Sequence, residues 1–583
     1  MKAILSGNEA LARGAWEAGV TVAAAYPGTP STEIIENMAR YPEVYSEWAP
    51  NEKVALEVGL GAAIGGARVL VAMKHVGVNV AADPLFTLSY TGVNGGLVLV
   101  SADDPGMHSS QNEQDNRYYA KFAKLPVLEP SDSQEARDFM IQAFKISETF
   151  DTPVMLRMTT RVAHGQSVVT LGERAEVPLK EYVKNAAKFV MLPGHARGRH
   201  PVVEQRLIDL AAFAETLPLN TILWGKDRKV GIITSGACYQ YVREAAPEAS
   251  VLKLGMTFPL PEQLITGFAR QVEEVIIVEE LEPFLEEQLL AWGIPVKGKE
   301  IFPRLGEFSP ELVAEKLGAA PAGEEIAATA TVTGEVPARP PMLCPGCPHR
   351  GVFYVLKKKN LVVTGDIGCY TLGALPPLSA MDTCICMGAG IGAALGMEKA
   401  RGREFAQKMV AVIGDSTFMH SGITGLMDVV YNQGATTVLI LDNGITAMTG
   451  HQQHPGTGKT VKQEPTHQVD LEALVRALGV KRVQVVDAYD MAAVEAAITG
   501  ELAADEPSVV ITRRPCVLLL KENDPPYTVM AEQCNQCGRC RRIGCPALVY
   551  RKGEAPVVDI TLCTGCGLCA QMCRQSAIVK AGE

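Results

Sequence analysis

The sequence predicts an α/β protein built from two large doubly wound domains, a smaller α/β unit and a cysteine-dense metal module. Three observations carry this. The 583 residues exceed what one hydrophobic core organises, at roughly 150 residues per domain. Short apolar strands alternate with Ala/Gly-rich helical stretches in two separated regions. The fifteen cysteines are unevenly placed: only Cys238 precedes position 344, and eight crowd into residues 534–573. Such clustering points to metal chemistry in a reducing compartment rather than to disulfide staples.

In chain order, "VTVAAAY", "RVLVAMKHVG", "GLVLVSADDPG" and "TPVMLRMT" read as buried parallel strands ending in loops, with "EKVALEVGLGAAIGGA" and "SQEARDFMIQAFKISETF" as intervening helices. A strand–turn–helix opening at "DRKVGIITSGACYQYVREAA" and a strand at "VEEVIIVEE" mark a smaller α/β unit. Residues 318–341, rich in Ala, Thr, Pro and Gly without a period, have a linker composition. Beyond them "KMVAVIGDS", "TTVLILDN", "KRVQVVDAYD" and "PSVVITRR" are again strands between helical patterns.

A formal charge of −11 and the absence of a basic stripe argue against nucleic acid as a main partner. Polar residues interrupt the N-terminal apolar stretch, and no run reaches the roughly 18 apolar residues of a membrane span. A cytoplasmic protein with no membrane partner is expected.

"CNQCGRCRRIGCP" and "CTGCGLCAQMC" resemble the paired runs of two-cluster bacterial ferredoxins. The resemblance implies that Cys534, Cys537, Cys540 and Cys573 hold one [4Fe-4S] cluster, and Cys563, Cys566, Cys569 and Cys545 a second. The first run departs from the pattern by one extra residue before Cys545, and Arg574 stands where a Pro often follows. Zinc knuckles are the alternative.

"VIGDSTFMHSGITGLMDVVYNQGATTVLILDNGITAMTG" is a strand ending in Gly-Asp, a helix, and a second strand ending in Asp-Asn-Gly. Strand ends in an open α/β sheet are where ligands bind. Mg2+ shared with a diphosphate requires oxygen donors. The stretch resembles the thiamine diphosphate motif, with Gly414, Asp415 and Ser416 at its first part and Asn443 at its second. By that pattern Asp415, Asn443 and the carbonyl of Ile445 hold Mg2+. Ser416 replaces the usual Gly and Asp442 the first Asn. Such enzymes also need a glutamate from a second domain that favours the imino tautomer of the cofactor's aminopyrimidine. Glu52 in "WAPNEKVALEVG" is the candidate; on its own, an acid in a first helical turn is explained by the helix dipole.

Together "YPGTPSTEI", "SADDPGMHSSQNEQDNR", "LCPGCPHRG", "GDIGCYTLG" and "DNGITAMTGHQ" identify the chain as resembling the 2-oxoacid:ferredoxin oxidoreductases, and among them the large alpha subunits of the indolepyruvate branch. The resemblance implies a pyrimidine-binding domain over 1–185, a transketolase C-terminal-like domain over 225–317, a linker over 318–341, a diphosphate-binding domain over 342–525 and a ferredoxin-like α+β module over 528–583. It implies thiamine diphosphate with Mg2+, and oxidative decarboxylation of aryl 2-oxo acids to aryl-acetyl-CoA and CO2. Electrons pass singly through clusters to a soluble ferredoxin, and a small beta subunit completes the enzyme. Thr29 is then expected near the substrate carboxylate, with His75 and Arg117 as looser candidates for the same pocket. A third, proximal [4Fe-4S] cluster is implied at Cys344, Cys347, Cys369 and Cys516, with Cys384 and Cys386 as competing ligands and a four-thiolate zinc site as the alternative. The same reaction on pyruvate or 2-oxoglutarate, a non-oxidative thiamine-dependent lyase, and a non-catalytic electron-transfer subunit stay open.

Overall fold

The computed structural model describes residues 1–226, 228–318, 339–551 and 553–582. It divides into two compact units, residues 1–333 and 334–583. The linker expected over 318–341 falls outside the described residues for positions 319–338. No helix among the described residues is long and apolar enough to cross a membrane.

In the first unit, six parallel strands run in the spatial order Tyr45–Trp48, Val22–Ala25, Val69–Lys74, Leu97–Asp103, Val154–Thr159, Val127–Leu128. Strands Val69–Lys74 and Leu97–Asp103 are buried along their whole length, as their unbroken apolar pattern requires when helices cover both faces. The chain leaves Val22–Ala25 for the edge strand Tyr45–Trp48, then returns to Val69–Lys74 on the other side. A reversal of this kind opens a crevice at the carboxyl ends of the strands.

The smaller domain contributes parallel strands Val230–Thr234, Ser250–Lys253 and Glu274–Val278. Its strand Met256–Phe258 crosses over and pairs antiparallel with Val127–Leu128, so the two domains share a sheet, which the sequence pattern did not reveal. Helix Pro193–Ala214, between the two expected domains, was also not read from the sequence. Pro201 within it masks the helical signal.

In the second unit, five parallel strands run in the order Val362–Thr364, Met409–Gly414, Thr437–Asp442, Ser508–Arg513, Arg482–Asp487. Two antiparallel ribbons follow, Tyr527–Val529 with Ile578–Lys580 and Leu548–Val549 with Val557–Val558. They frame the cysteine-rich module.

Candidate functional site

Three expected residues of the first unit follow the carboxyl ends of three adjacent strands. Thr29 follows Val22–Ala25, Glu52 follows Tyr45–Trp48, and His75 follows Val69–Lys74. Thr29 and His75 thus flank the reversal point. Glu52 opens helix Glu52–Ile64, whose Asn51 N-cap accepts from Val54 N at 2.9 Å. The cap fixes the first turn and is worth about 1 kcal/mol.

The Glu52 side chain is 6% exposed and lies against Gly77, where a Cβ would sit 2.7 Å from both its Cγ and its Oε1. Gly77→Ala is therefore expected to displace the carboxylate while leaving the fold intact. A fall in kcat of about 100-fold, the scale of a 1 Å misplacement, with unchanged thermal unfolding would verify the packing.

His75 was expected at a strand end; the strand stops at Lys74 and His75 is the first residue of helix His75–Val80. It is fully buried, with Nε2 3.2 Å from the Asn112 carbonyl and, among the described residues, no hydrogen-bond partner for Nδ1. Arg117, the other looser candidate, is 1% exposed. Its guanidinium bonds Asp115 at 2.5 Å, Glu279 at 2.8 Å and the Glu280 carbonyl at 3.2 Å. Those acids hold it well above its usual range despite burial. Its donors tie the first domain to the second, and removing one partner of such a buried pair costs about 3–5 kcal/mol. Lys74, not singled out in the sequence, is nearly buried beside Asp104, and burial pulls it down to about 8.

The second unit brings its expected residues Asp415, Asn443 and Cys516, together with Asp366, to the carboxyl ends of four neighbouring strands. Asp366 follows Val362–Thr364, Asp415 follows Met409–Gly414, Asn443 follows Thr437–Asp442, and Cys516 follows Ser508–Arg513. The Asp415 carboxylate is 3% exposed. It accepts Ser416 N on Oδ1 and Gly444 N on Oδ2, each at 2.8 Å. Gly444 adopts φ +71, which turns its N–H toward the carboxylate and favours glycine there. Ser416, in place of the motif's Gly, accepts from Thr446 Oγ1 at 2.8 Å and joins the two loops. Asp442, in place of Asn, is matched by Arg513 on the next strand at 2.7 Å.

Carboxylate, amide oxygen and backbone carbonyl are hard donors that suit Mg2+ shared with a diphosphate. Asp415→Ala is expected to weaken Mg2+-dependent thiamine diphosphate binding by more than about 100-fold, since removing even an outer-sphere partner of a metal site costs 10–100-fold. Calorimetric titration of the cofactor into wild type and variant checks this.

Three further residues meet this site. His454 accepts Gly456 N on Nδ1 at 3.1 Å, which leaves its proton on Nε2, 3.3 Å from Asp415 Oδ2. His349, edge-on to Tyr370, is pushed down to about 4 by burial and is neutral at neutral pH. Asp366 accepts Ile367 N, Gly388 N and Gly390 N at 2.8, 2.9 and 3.1 Å, and burial pushes it up to about 6. His349 stands inside "LCPGCPHRG", where the cysteines drew the reading, and His454 lies two residues beyond "DNGITAMTGHQ".

Cys344, Cys347, Cys369 and Cys516 gather at the same sheet edge. Burial pushes Cys347 up to about 12, with Cys344 and Cys369 adding to it. Cys369 rises to about 11 through burial, then Cys516 and Cys344. Cys516 donates its backbone N–H to the Asn443 carbonyl at 2.9 Å, which seats it directly beside the oxygen-donor loop. Cys384 and Cys386 are instead raised by burial and Asp366. Among the described residues no three His, Cys, Asp or Glu side chains converge on a single ion.

The tail thiols fall into the two crossed sets. Cys534, Cys537, Cys540 and Cys573 line a cavity of about 700 Å³ with Tyr550 and Met572. Cys545, Cys563, Cys566 and Cys569 line a second, more enclosed one. Burial and the neighbouring Cys566, Cys545 and Cys563 push Cys569 up to about 12. The extra residue before Cys545 is absorbed by the short helix Cys540–Ile543 and by Gly544 at φ +67.

Three family models match the chain. "Pyruvate flavodoxin/ferredoxin oxidoreductase, thiamine diP-bdg" covers residues 13–207, "Thiamine pyrophosphate enzyme, C-terminal TPP binding domain" covers 366–512, and "4Fe-4S binding domain" covers 556–579. The chain is 41% identical to the indolepyruvate oxidoreductase subunit IorA of Archaeoglobus fulgidus, over 100% of this chain and 98% of that protein. It is 43% identical to the subunit of the same name from Pyrococcus horikoshii, over 100% and 97%. Similarity to the 2-oxoglutarate synthase subunit KorA of Archaeoglobus fulgidus is lower, 24% over 47% of this chain and 87% of that protein.

Proposed function

Because the chain belongs to the indolepyruvate oxidoreductase IorA family and is a thiamine-diphosphate-dependent 2-oxoacid:ferredoxin oxidoreductase, we propose that its substrates are aryl 2-oxo acids of the indolepyruvate and phenylpyruvate type. The products are CO2 and the aryl-acetyl-CoA. Two electrons leave singly through iron–sulfur clusters to ferredoxin, and a small beta subunit completes the enzyme. The names of the full-length relatives support the aryl substrate, and their designation as subunits supports the partner chain.

The observation that carries the oxidative reading is the bond from Cys516 N to the Asn443 carbonyl. It seats Cys516, one of the four expected thiols, beside the oxygen-donor loop, and this supports an electron acceptor next to the cofactor, for which a non-oxidative lyase has no use. Thiamine diphosphate, when bound, supplies the electron sink for decarboxylation. Asp415, Asn443 and the Ile445 carbonyl would hold Mg2+ for the diphosphate, with Gly414 and Ser416 shaping the loop. Glu52 would supply the carboxylic acid that favours the imino tautomer of the aminopyrimidine. Thr29 and His75 border the substrate crevice, and Arg117 braces that region through its acids. Cys344, Cys347, Cys369 and Cys516 would hold a first acceptor cluster, and the two tail sets would hold the clusters that pass electrons on to ferredoxin.

The test is anaerobic viologen reduction by the chain with its beta subunit, on arylpyruvates, pyruvate and 2-oxoglutarate, with and without coenzyme A. CoA-dependent reduction with arylpyruvates is expected. Reduction confined to pyruvate or 2-oxoglutarate overturns the substrate assignment.

A further inference from the structure

Arg350 closes the "CPGCPHR" stretch and is 3% exposed. Its guanidinium holds two cysteine-bearing segments of the second unit, those of Cys344 and Cys545, by their carbonyls. On one side Nε donates to the Cys344 carbonyl at 2.9 Å, and Nη2 donates to the Leu343 carbonyl. On the other, Nη1 donates to the carbonyls of Gly544 at 2.6 Å and Ile543 at 3.2 Å. None of these partners is a carboxylate, and the groups within electrostatic reach of the cation are the thiols of Cys545, Cys347, Cys344 and Cys566.

The loop of Cys344 and Cys347 also touches the run that carries Cys563 and Cys566. A Cβ on Gly346 would fall 2.1 Å from Thr564 Oγ1. Pro345, Gly346 and Arg350 line the enclosed cavity together with Cys545, Cys563, Cys566 and Cys569. A buried charge without a carboxylate is expensive unless something negative compensates it. A cluster with four thiolates carries net negative charge and does so on either side.

We propose that Arg350 is a positioning residue that clamps the proximal four-cysteine site to the enclosed tail cluster and holds a positive charge between them. The proposal rests on the reading that both sites hold clusters. The step it serves is one electron moving from the proximal cluster, which is oxidised, to the tail cluster, which is reduced; no bond or proton changes. A positive charge stabilises the reduced, more negative form of each neighbour and so raises both potentials.

The experiment compares wild type, R350Q and R350K as the full chain with its beta subunit, by iron analysis and potentiometric EPR. In R350Q the two flanking clusters are expected to be at least tenfold less reduced at a fixed potential, 59 mV for a one-electron couple. The exposed Cys534/Cys537/Cys540/Cys573 cluster stays unmoved as the internal reference. R350K keeps the charge but not the forked contacts, so its potentials hold while magnetic coupling between the two clusters weakens. This second variant decides the matter where R350Q loses iron. Unmoved potentials in an iron-replete R350Q, or wild-type coupling in R350K, overturn the proposal. A wild-type content of about eight irons instead of twelve removes the proximal cluster itself, which is a failure of the underlying reading and recognisable as such.

Discussion

Glu52→Gln is expected to lower kcat by about 10²–10⁴-fold, the span of a positioned acid–base group, with thermal unfolding near that of wild type. The carboxyl is 6% exposed and packed on Gly77. Its neighbours along the sheet edge are the loop of Thr29 and the helix of His75, so it stands in a crevice rather than on a solvated helix end. An acid that served only the helix dipole would be worth about 0.3–1 kcal/mol of stability, and its amide variant would leave turnover alone. The amide keeps the shape and removes the exchangeable acid proton. The decisive readout is loss of proton exchange at the cofactor's reactive carbon, followed by NMR, while cofactor affinity stays within a few-fold. Full turnover in the variant removes Glu52 from the chemistry.

The second large effect is expected from Cys347→Ser. Anaerobic iron and sulfide analysis should fall from about twelve to about eight irons per chain, and viologen reduction should be lost. Cys347 is buried and within the electrostatic reach of Cys344 and Cys369, so a serine there cannot recruit water as a replacement ligand without opening the core. Cys516→Ser is expected to do the same. Cys384→Ser should retain about twelve irons, because Cys384 faces the Asp366 carbonyl at 3.5 Å rather than the other four. A wild-type pattern in the Cys516 variant together with iron loss in the Cys384 variant reverses the ligand assignment.

Much of the fold was legible because buried parallel strands leave an unmistakable trace. The stretch "SQEARDFMIQAFKISETF" is helix Ser133–Phe150 end to end, and "TTVLILDN" contains strand Thr437–Asp442. What stayed hidden depends on contacts distant in sequence. The pairing of Met256–Phe258 with Val127–Leu128 cannot be seen in a three-residue strand. Arg117 offered a charge in a motif, but only the folded chain brings Glu279 to it from 162 residues away.

The candidate site divides in the same manner. Asp415, Asn443 and the cysteines were readable because each lies at a strand end or in a spaced motif, and spacing survives in one dimension. His454 beside Asp415 and Arg350 between two cysteine loops were not, since each acts through a partner brought close by the sheet. Ser416 and Asp442, departures from the motif in sequence, are compensated by Thr446 and Arg513 in space.

The central claim is that decarboxylation here is coupled to cluster reduction within the same chain. The direct measurement is a single-turnover mixing of the reconstituted anaerobic enzyme with indolepyruvate and coenzyme A, without external acceptor. Visible bleaching and freeze-quench EPR are followed alongside CO2 release. Two electrons are expected in the clusters for each CO2 released, with formation of the acyl-CoA. Stoichiometric CO2 and aldehyde with the clusters still oxidised would contradict that claim.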